Sequence, residues 1–260
     1  MKVVILSLLL LLLSAALPYE DQIVLANSLI VGRDDMQDLY DWTCKVCDLS
    51  NKPIHTHFIE DKSVDIKCII SVYSNFIVLA FRYTNTVQNV WEDILYPLQI
   101  KDEHACDNCK IQKAYKNMWE KIKERVFSDL REIRVMTGIS KLHITGISLG
   151  GGLAAISFID INHFDIFDIV EVTTFGAPRV GNKHWAAYFD LITLEKTKRY
   201  IVKGDPIVVL PRCLTLLCTY RHTGIQLVCY EDQEVCIQEE VAPDEGDENA
   251  VEAAIKKIGS

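Results

Sequence analysis

The segment that most constrains this chain lies at residues 145–152 (TGISLGGG), between an apolar run and a stretch of small residues. The run at 142–147 predicts a strand, and residues 149–158 predict a helix. A tight strand-to-helix turn tolerates little bulk, and Gly146 and Gly150 flank Ser148 at the G-x-S-x-G spacing. The helix N-terminus then directs N–H groups to the place where an anion would form. The pattern predicts that Ser148 is a nucleophile.

Two other interpretations of this segment remain open. It could be a glycine-rich helix start that allows close backbone packing, or a phosphate-binding loop. A phosphate loop needs a lysine near its end, and the nearest downstream lysine is Lys183. The nucleophile is therefore the favoured interpretation.

Strand-like and helix-like segments alternate along the chain, and this order indicates an α/β fold with a largely parallel sheet. Two apolar runs at 64–71 and 76–81 predict adjacent strands, and further strands are predicted at 142–147, 169–175 and 199–202. Between them, apolar residues recur at helical spacing from Ile111 to the vicinity of Gly138, and a shorter helix is predicted near 183–191.

A nucleophilic serine needs a base that accepts its proton and an acid that orients the base. Asp205, in a Gly-Asp-Pro turn after a strand, and His222 are the candidates in the chain order Ser, Asp, His. The competing residues lie between the nucleophile and the last strands, where helix-surface positions are usually solvated: His163, His184, Asp165, Asp168 and Asp190. His143 alternates with apolar residues of a strand, and a structural role is favoured for it.

The N-terminus has the pattern of a secretory signal peptide at 1–16, with Lys2, an apolar run at 3–13 and small residues before a cleavage site after Ala16. A membrane anchor is the alternative, but the apolar run is shorter than a bilayer needs. We expect a secreted protein or one in the lumen of the secretory or lysosomal pathway, with one catalytic domain at 17–237, an acidic and flexible tail at 238–260 and no membrane span after cleavage.

Nine cysteines fit an oxidising compartment, and their odd number leaves at least one free. Two C-x-x-C pairs could form a four-cysteine zinc site, but local disulfides are favoured because the pairs are far apart in sequence. Cys68 could pair near Cys44 and Cys47 or be the free thiol. The candidate pairs are Cys44/Cys47, Cys106/Cys109, Cys213/Cys218 and Cys229/Cys236.

The formal net charge is −9, and nine acidic residues without any lysine or arginine lie at 231–250. The rest of the chain is balanced and offers no field that would collect phosphates, which argues against nucleic acid as a partner.

Four ordered motifs resemble one family, the class 3 lipases, which are fungal-lipase-like α/β-hydrolases. They are GISLGG at 146–151, FGAPRVGN at 175–182, DPIVVLP at 205–211 and YRHTG at 220–224. The resemblance covers roughly residues 40–230. It implies an α/β-hydrolase fold, with a central mostly parallel sheet flanked by helices, and a serine ester hydrolase that releases fatty acids from acylglycerols without metal or cofactor.

The resemblance also assigns roles to individual residues. Asp205 and His222 match the family's acid and base, and Thr84 with the backbone N–H of Leu149 matches its oxyanion hole. Three departures stand out: Ile147 replaces the usual histidine before the nucleophile, Tyr83 replaces the glycine of FRGT, and IQKAY at 111–115 replaces VHxGF. A phospholipase A1, a soluble-ester esterase and a catalytically silent lipid-binding protein remain as alternatives.

Residues 86–97 (TVQNVWEDILYP) occupy the place where related lipases carry a lid. Trp91, Ile94 and Leu95, together with Val90, would form an apolar stripe on a short helix, able to cover the serine or to face a lipid–water interface. The alternative is that Trp91 packs in the core.

The lid interpretation predicts that Trp91→Ala reduces hydrolysis of an emulsified substrate more than hydrolysis of a dissolved ester, because only the emulsion needs an apolar docking surface. Rates on both substrates, measured side by side, test this. Equal losses would exclude the lid.

Overall fold

The structure is a computed structural model that describes residues 17–32, 41–44, 47, 51–83, 98–193, 196–211, 220–230 and 235–239. Several predicted features lie outside the described residues: the signal peptide at 1–16, Thr84, the lid segment with Trp91, Ile94 and Leu95, the pair Cys213/Cys218, and the tail beyond residue 239.

Four helices and twelve strands are described. The helices are α1 (Tyr19–Ile30), α2 (Lys113–Thr137), α3 (Leu149–His163) and α4 (Lys183–Thr193). The strands are β1 (His55–Asp61), β2 (Ile66–Val72), β3 (Ile77–Phe81), β4 (Gln99–Lys101), β5 (Lys110–Gln112), β6 (Lys141–Ile147), β7 (Ile169–Phe175), β8 (Gly181–Asn182), β9 (Thr197–Val202), β10 (Tyr220–Arg221), β11 (Ile225–Cys229) and β12 (Ile237–Gln238).

Eight of the strands form the central sheet, in the order β1-β2-β3-β6-β7-β9-β11-β12. The five middle strands, from β3 to β11, are parallel, and antiparallel strands lie at both edges. The α/β fold with a mostly parallel sheet is therefore confirmed. The sequence did not predict the antiparallel pairings at the two edges of the sheet or the small sheet β10-β8-β5-β4.

Side chains alternate between the two faces of the sheet. On β3, Leu79 and Phe81 pack in the large core cluster that includes α2 and α3, while Val78 and Ala80 pack in a cluster with α1. This period of two is what an extended strand imposes. The sheet therefore has α2 and α3 on one face and α1 on the other.

The sequence did not predict helix α1, because its polar and apolar residues do not separate into two faces and the helix is buried on nearly all sides. Nine of its twelve residues are buried, so that no polar stripe marks a helical period. Its Ser28 hydroxyl lies 2.9 Å from the hydroxyl of Thr145 on β6, within hydrogen-bonding distance. α1 thus packs directly beneath the strand that carries Ser148.

Helix α2 is amphipathic as predicted, but it begins at Lys113 because residues 110–112 form β5. Met136, which continues the apolar spacing, is exposed in the last turn. The helix ends at Gly138, whose φ of 68° is a left-handed conformation that glycine adopts without strain.

A buried polar contact joins α2 to α3. The indole N–H of Trp119 donates to Oδ2 of Asp160 at 2.8 Å, and His104 Nδ1 lies 2.6 Å from Oδ1. Asp160 is 2% exposed, so both carboxylate oxygens are satisfied inside the protein. The contact fixes the position of the helix that begins at the proposed nucleophile.

Three of the predicted disulfides are present: Cys44–Cys47, Cys106–Cys109 and Cys229–Cys236. The four-cysteine zinc site is therefore excluded, because its thiols are paired. Cys68 is a free, buried thiol, and burial raises its pKa.

Within the part of the chain that the structure describes, no helix has both the length and the apolar composition needed to cross a bilayer.

We predict that Asp160→Ala lowers the free energy of unfolding by about 2–4 kcal/mol, because it leaves the Trp119 N–H buried without an acceptor. Asp168→Ala is the control: this aspartate also has a side-chain partner, Arg134, but its own side chain is 61% exposed. Its loss should cost less than about 1 kcal/mol. Urea unfolding measures both, and equal losses would contradict the role of Asp160.

Candidate active site

Ser148 stands at the turn between β6 and α3 with φ 54° and ψ −120°, a strained backbone conformation for a residue with a side chain. Its N–H donates to the carbonyl of Phe175 at 2.8 Å, which anchors the turn to β7. The residue is 1% exposed, and among the described residues its Oγ has no hydrogen-bond partner. The strained strand-to-helix turn is the geometry of a nucleophile elbow, and no bond within the described part of the chain holds the hydroxyl away from a base.

The two glycines of the elbow are needed for close packing. A Cβ at Gly146 would collide with the backbone of Gly150, and a Cβ at Gly150 would collide with the carbonyl oxygen of Phe81. The end of β3 therefore lies directly against the first turn of α3. No other residue type allows this approach.

Of the two predicted oxyanion-hole residues, the structure describes only Leu149. Leu149 is the first residue of α3, and N–H groups in the first turn of a helix have no acceptor within the helix. Thr84 lies outside the described residues. Because Phe81 contacts Gly150, the chain that leads to Thr84 starts beside the elbow. The role of both residues stays a prediction.

Asp205 follows β9, and Ser148 follows β6. Since these strands are parallel, both residues leave the same edge of the sheet. Asp205 is 8% exposed, and its Oδ1 accepts the N–H of Ile207 at 2.8 Å. Within the described residues its Oδ2 is buried without a partner, and burial raises the pKa of the carboxyl group. This free oxygen is available to an imidazole N–H.

His222 lies in a small cavity whose walls include Gly151, Ala177 and Arg199. Its Nε2 is 2.5 Å from the carbonyl oxygen of Val208, three residues beyond Asp205. Within the described residues, no hydrogen bond joins the side chains of Ser148, Asp205 and His222. The structure thus places His222, the candidate base, close to the loop of Asp205, the candidate acid. It does not connect either side chain to Ser148.

The charges of two arginines act on His222. Burial holds the pKa of His222 well below its ordinary value, and the charges of Arg199 and Arg179 lower it further. Arg199 is 3% exposed and donates to the carbonyl of Thr223 at 3.3 Å and to Gln226 at 2.7 Å. His222 is therefore neutral at neutral pH, as a general base must be.

Arg199 was missed in the sequence analysis, although one signal was present. It is a charged residue within the run at 199–202, which otherwise predicts a buried strand. Buried arginines usually have a specific partner. The sequence does not reveal that its charge lies beside the candidate base.

The competing acids and bases divide into two groups. Asp165, Asp168 and His163 are exposed, and His184 is half-buried. Asp190 is exposed as well, but it contacts the His222 loop, since its Oδ1 accepts the N–H of Gly224 at 2.6 Å. Desolvation raises the pKa of Asp190 to about 6. This carboxylate supports the loop through its backbone.

Two of the three departures from the family pattern pack together. Ile147 belongs to a buried cluster with Leu25 and Leu29 of α1, and Tyr83 packs against the same cluster. A Cβ at Gly32 would be 2.7 Å from Cζ of Tyr83, so the aromatic ring lies against the residues that follow α1. Both substitutions extend the contact between α1 and the elbow strand.

The third departure also has a packing partner. Tyr115 is fully buried in α2, and a Cβ at Gly152 would lie 2.5 Å from its ring. Tyr115 therefore packs against the glycine-rich first turn of α3. Its hydroxyl is buried without a hydrogen-bond partner, and burial raises its pKa.

Comparison with known proteins identifies the family. The model of the class 3 lipase family matches residues 78–215, which contain the elbow and Asp205. A curated relative, the secreted mono- and diacylglycerol lipase 2 of Gibberella zeae, is 28% identical over 160 residues, which are 52% of this chain and 39% of the relative. The chain thus matches about two-fifths of the length of this relative.

Solved structures agree in fold. Lipase II from Rhizopus niveus superimposes with a TM-score of 0.68 at 19% identity, over 81% of this chain and 80% of that one. A fungal lipase–inhibitor complex, described as a model for interfacial activation in lipases, gives a TM-score of 0.66 at 19% identity, over 80% and 77%. With the elbow geometry, the sheet order and the family match in agreement, this chain belongs to the class 3 lipase family.

Proposed function

We propose that this protein is a secreted lipase that hydrolyses acylglycerols through an acyl-enzyme on Ser148. The observation that carries the proposal is the strained, buried Ser148 at a strand-to-helix turn, with an unpartnered Oγ and a helix N-terminus beside it. Family membership and the names of the relatives, secreted mono- and diacylglycerol lipases, support the substrate class.

The proposed chemistry proceeds in two steps. Ser148 Oγ attacks the ester carbonyl while His222 takes its proton, and the N–H of Leu149 with Thr84 stabilises the tetrahedral oxyanion. His222 then protonates the departing alcohol, which leaves the acyl group on Ser148. Water, deprotonated by His222, attacks this acyl-enzyme and releases the fatty acid. Asp205 holds the imidazole through its free Oδ2.

This mechanism requires His222 to exchange its hydrogen bond with the carbonyl of Val208 for contacts with Ser148 and Asp205. The Ser148 hydroxyl would donate to the imidazole and Asp205 Oδ2 would accept from it, and among the described residues both atoms are buried without a partner. The exchange would therefore satisfy two polar atoms at the loss of one contact.

The setting of the reaction is part of the proposal. The relatives named as secreted lipases and the pattern at residues 1–16 support export to the extracellular space. The names of these relatives do not support a lysosomal destination. A lipid–water interface as the site of action has support from the solved complex that is described as a model for interfacial activation.

One observation favours a second candidate, a catalytically silent lipid-binding protein. It is the lack of a hydrogen bond among Ser148, Asp205 and His222 in the described part of the chain. A phospholipase A1 or a soluble-ester esterase would use the same serine and differ only in the alcohol that leaves.

We expect the protein to hydrolyse long-chain p-nitrophenyl esters and emulsified acylglycerols, and Ser148→Ala to lose at least about 10³-fold in kcat. Ser157→Ala is the matched control, because Ser157 is a buried serine within α3 whose hydroxyl donates to the carbonyl of Ala154. It should retain activity. If folded wild type and both variants are equally inert on every ester, lipid binding becomes the leading function.

The positive charge of the buried Arg199 should affect the acid limb of the pH–activity profile. His222 must be neutral to accept the proton, so activity falls as pH drops through its pKa, which lies well below 6.5. Arg199→Gln removes a positive charge and should shift this limb of kcat/KM to higher pH. Arg199→Lys keeps the charge and should leave it in place. Profiles on a dissolved ester test this, and identical limbs in both variants would contradict the electrostatic role.

A further inference from the structure

Three potential metal ligands converge where α1 meets the sheet. Glu20 lies in the first turn of α1, His143 on β6 and Glu171 on the neighbouring strand β7. One ligand atom from each lies within 4.8 Å of the others. Nδ1 of His143 is 3.4 Å from Oε2 of Glu171. The three residues come from separate elements, so the fold rather than the local sequence brings them together.

The histidine is the unusual member of this group. His143 is 2% exposed, and among the described residues neither of its ring nitrogens has a hydrogen-bond partner. Its ring packs edge-on against Phe76, with centroids 5.3 Å apart, and Nδ1 points to the carboxylate of Glu171. A buried imidazole without a hydrogen bond is costly, because the contact with the carboxylate does not replace the bonds to water that both nitrogens lost. A cation held between Nδ1 and the two carboxylates would remove that cost.

The group keeps a net negative charge, although one ammonium already competes for its carboxylates. Lys141 lies 3.3 Å from Glu20 and 3.4 Å from Glu171, so one ammonium faces two carboxylates. The nearby Asp21 is engaged by Lys198 at 2.8 Å and by the hydroxyl of Tyr200. The glutamate side chains are 53% and 30% exposed, which gives an ion a route from solvent.

We propose that Glu20, His143 and Glu171 bind a zinc ion that fastens α1 to β6 and β7. One imidazole nitrogen and two carboxylate oxygens are ligands that zinc accepts, with water in the fourth position. Ligands about 2.1 Å from a tetrahedral zinc are about 3.4 Å apart, which is the separation of His143 Nδ1 and Glu171 Oε2. Calcium and magnesium prefer all-oxygen sites, and the buried imidazole disfavours them.

The role of this ion is structural. His143 precedes Ser148 by five residues of extended strand, about 16 Å, and the ligands lie toward the opposite end of β6. The ion would secure the helix whose Leu25 and Leu29 pack with Ile147 beneath the elbow. The proposal does not depend on the hydrolytic activity and can be tested without it.

Zinc binding by the full chain, titrated with ZnCl2 in a calorimeter after removal of metals by a chelator, tests the proposal. We expect a site for one zinc per chain. The Tm should rise by about 5 °C when the concentration of free zinc is 100 times the Kd of this site. Glu171→Gln should weaken that site at least about tenfold, since it removes a ligand. His143→Gln should do the same.

Two further variants distinguish binding at this site from binding elsewhere on the protein. Lys141→Met should tighten zinc binding, because it removes the competing ammonium. His163→Gln, at an exposed histidine stacked on His104, should leave the affinity unchanged and excludes a surface histidine as the binding group. The proposal is wrong if the wild type binds no zinc when zinc is supplied at 10 times the protein concentration. It is also wrong if Glu171→Gln and the wild type bind zinc with equal affinity.

Discussion

The close contact among three backbone segments at the elbow determines much of this structure. Gly146 at the end of β6, Gly150 in the first turn of α3 and the carbonyl of Phe81 at the end of β3 meet where no side chain fits. The contact holds Ser148 in its strained conformation and places the end of β3 beside it. Strain of this kind persists only when the surroundings over-determine it. Those surroundings include the ring of Trp119 against Phe81, the ring of Tyr115 beside Gly152 and the hydrogen bond from the Ser148 N–H to the carbonyl of Phe175.

Strand β6 connects the elbow to helix α1. Its residues Leu142 and Ile144 face α2 and α3, whereas His143, Thr145 and Ile147 face α1. The family usually has a histidine at position 147, and here an isoleucine extends the apolar contact with α1. Tyr83 contributes to the same contact. The departures near the nucleophile therefore belong to the packing of α1, and they leave Ser148 and the two elbow glycines unaltered.

The parts of the molecule that sequence could predict are those with a local signal. The parallel strands, the amphipathic α2 and the elbow each carry a periodicity or a glycine spacing, and three local disulfides follow from short cysteine separations. Helix α1 could not be recognised, because burial on all sides removes the polar stripe. The group around His222 could not be recognised either, since Val208, Arg199 and Asp190 reach it only through the tertiary fold. The chain order of Ser148, Asp205 and His222 was available, but their mutual orientation was not.

The proposed mechanism requires that Ser148 becomes acylated during turnover. Its most direct test is mass spectrometry of the folded protein after exposure to a long-chain p-nitrophenyl phosphonate, which forms a stable bond with an activated serine. We predict one phosphonyl group per chain, located on the peptide that contains Ser148. A folded protein that acquires no adduct, or one that carries it on another residue, would contradict this claim.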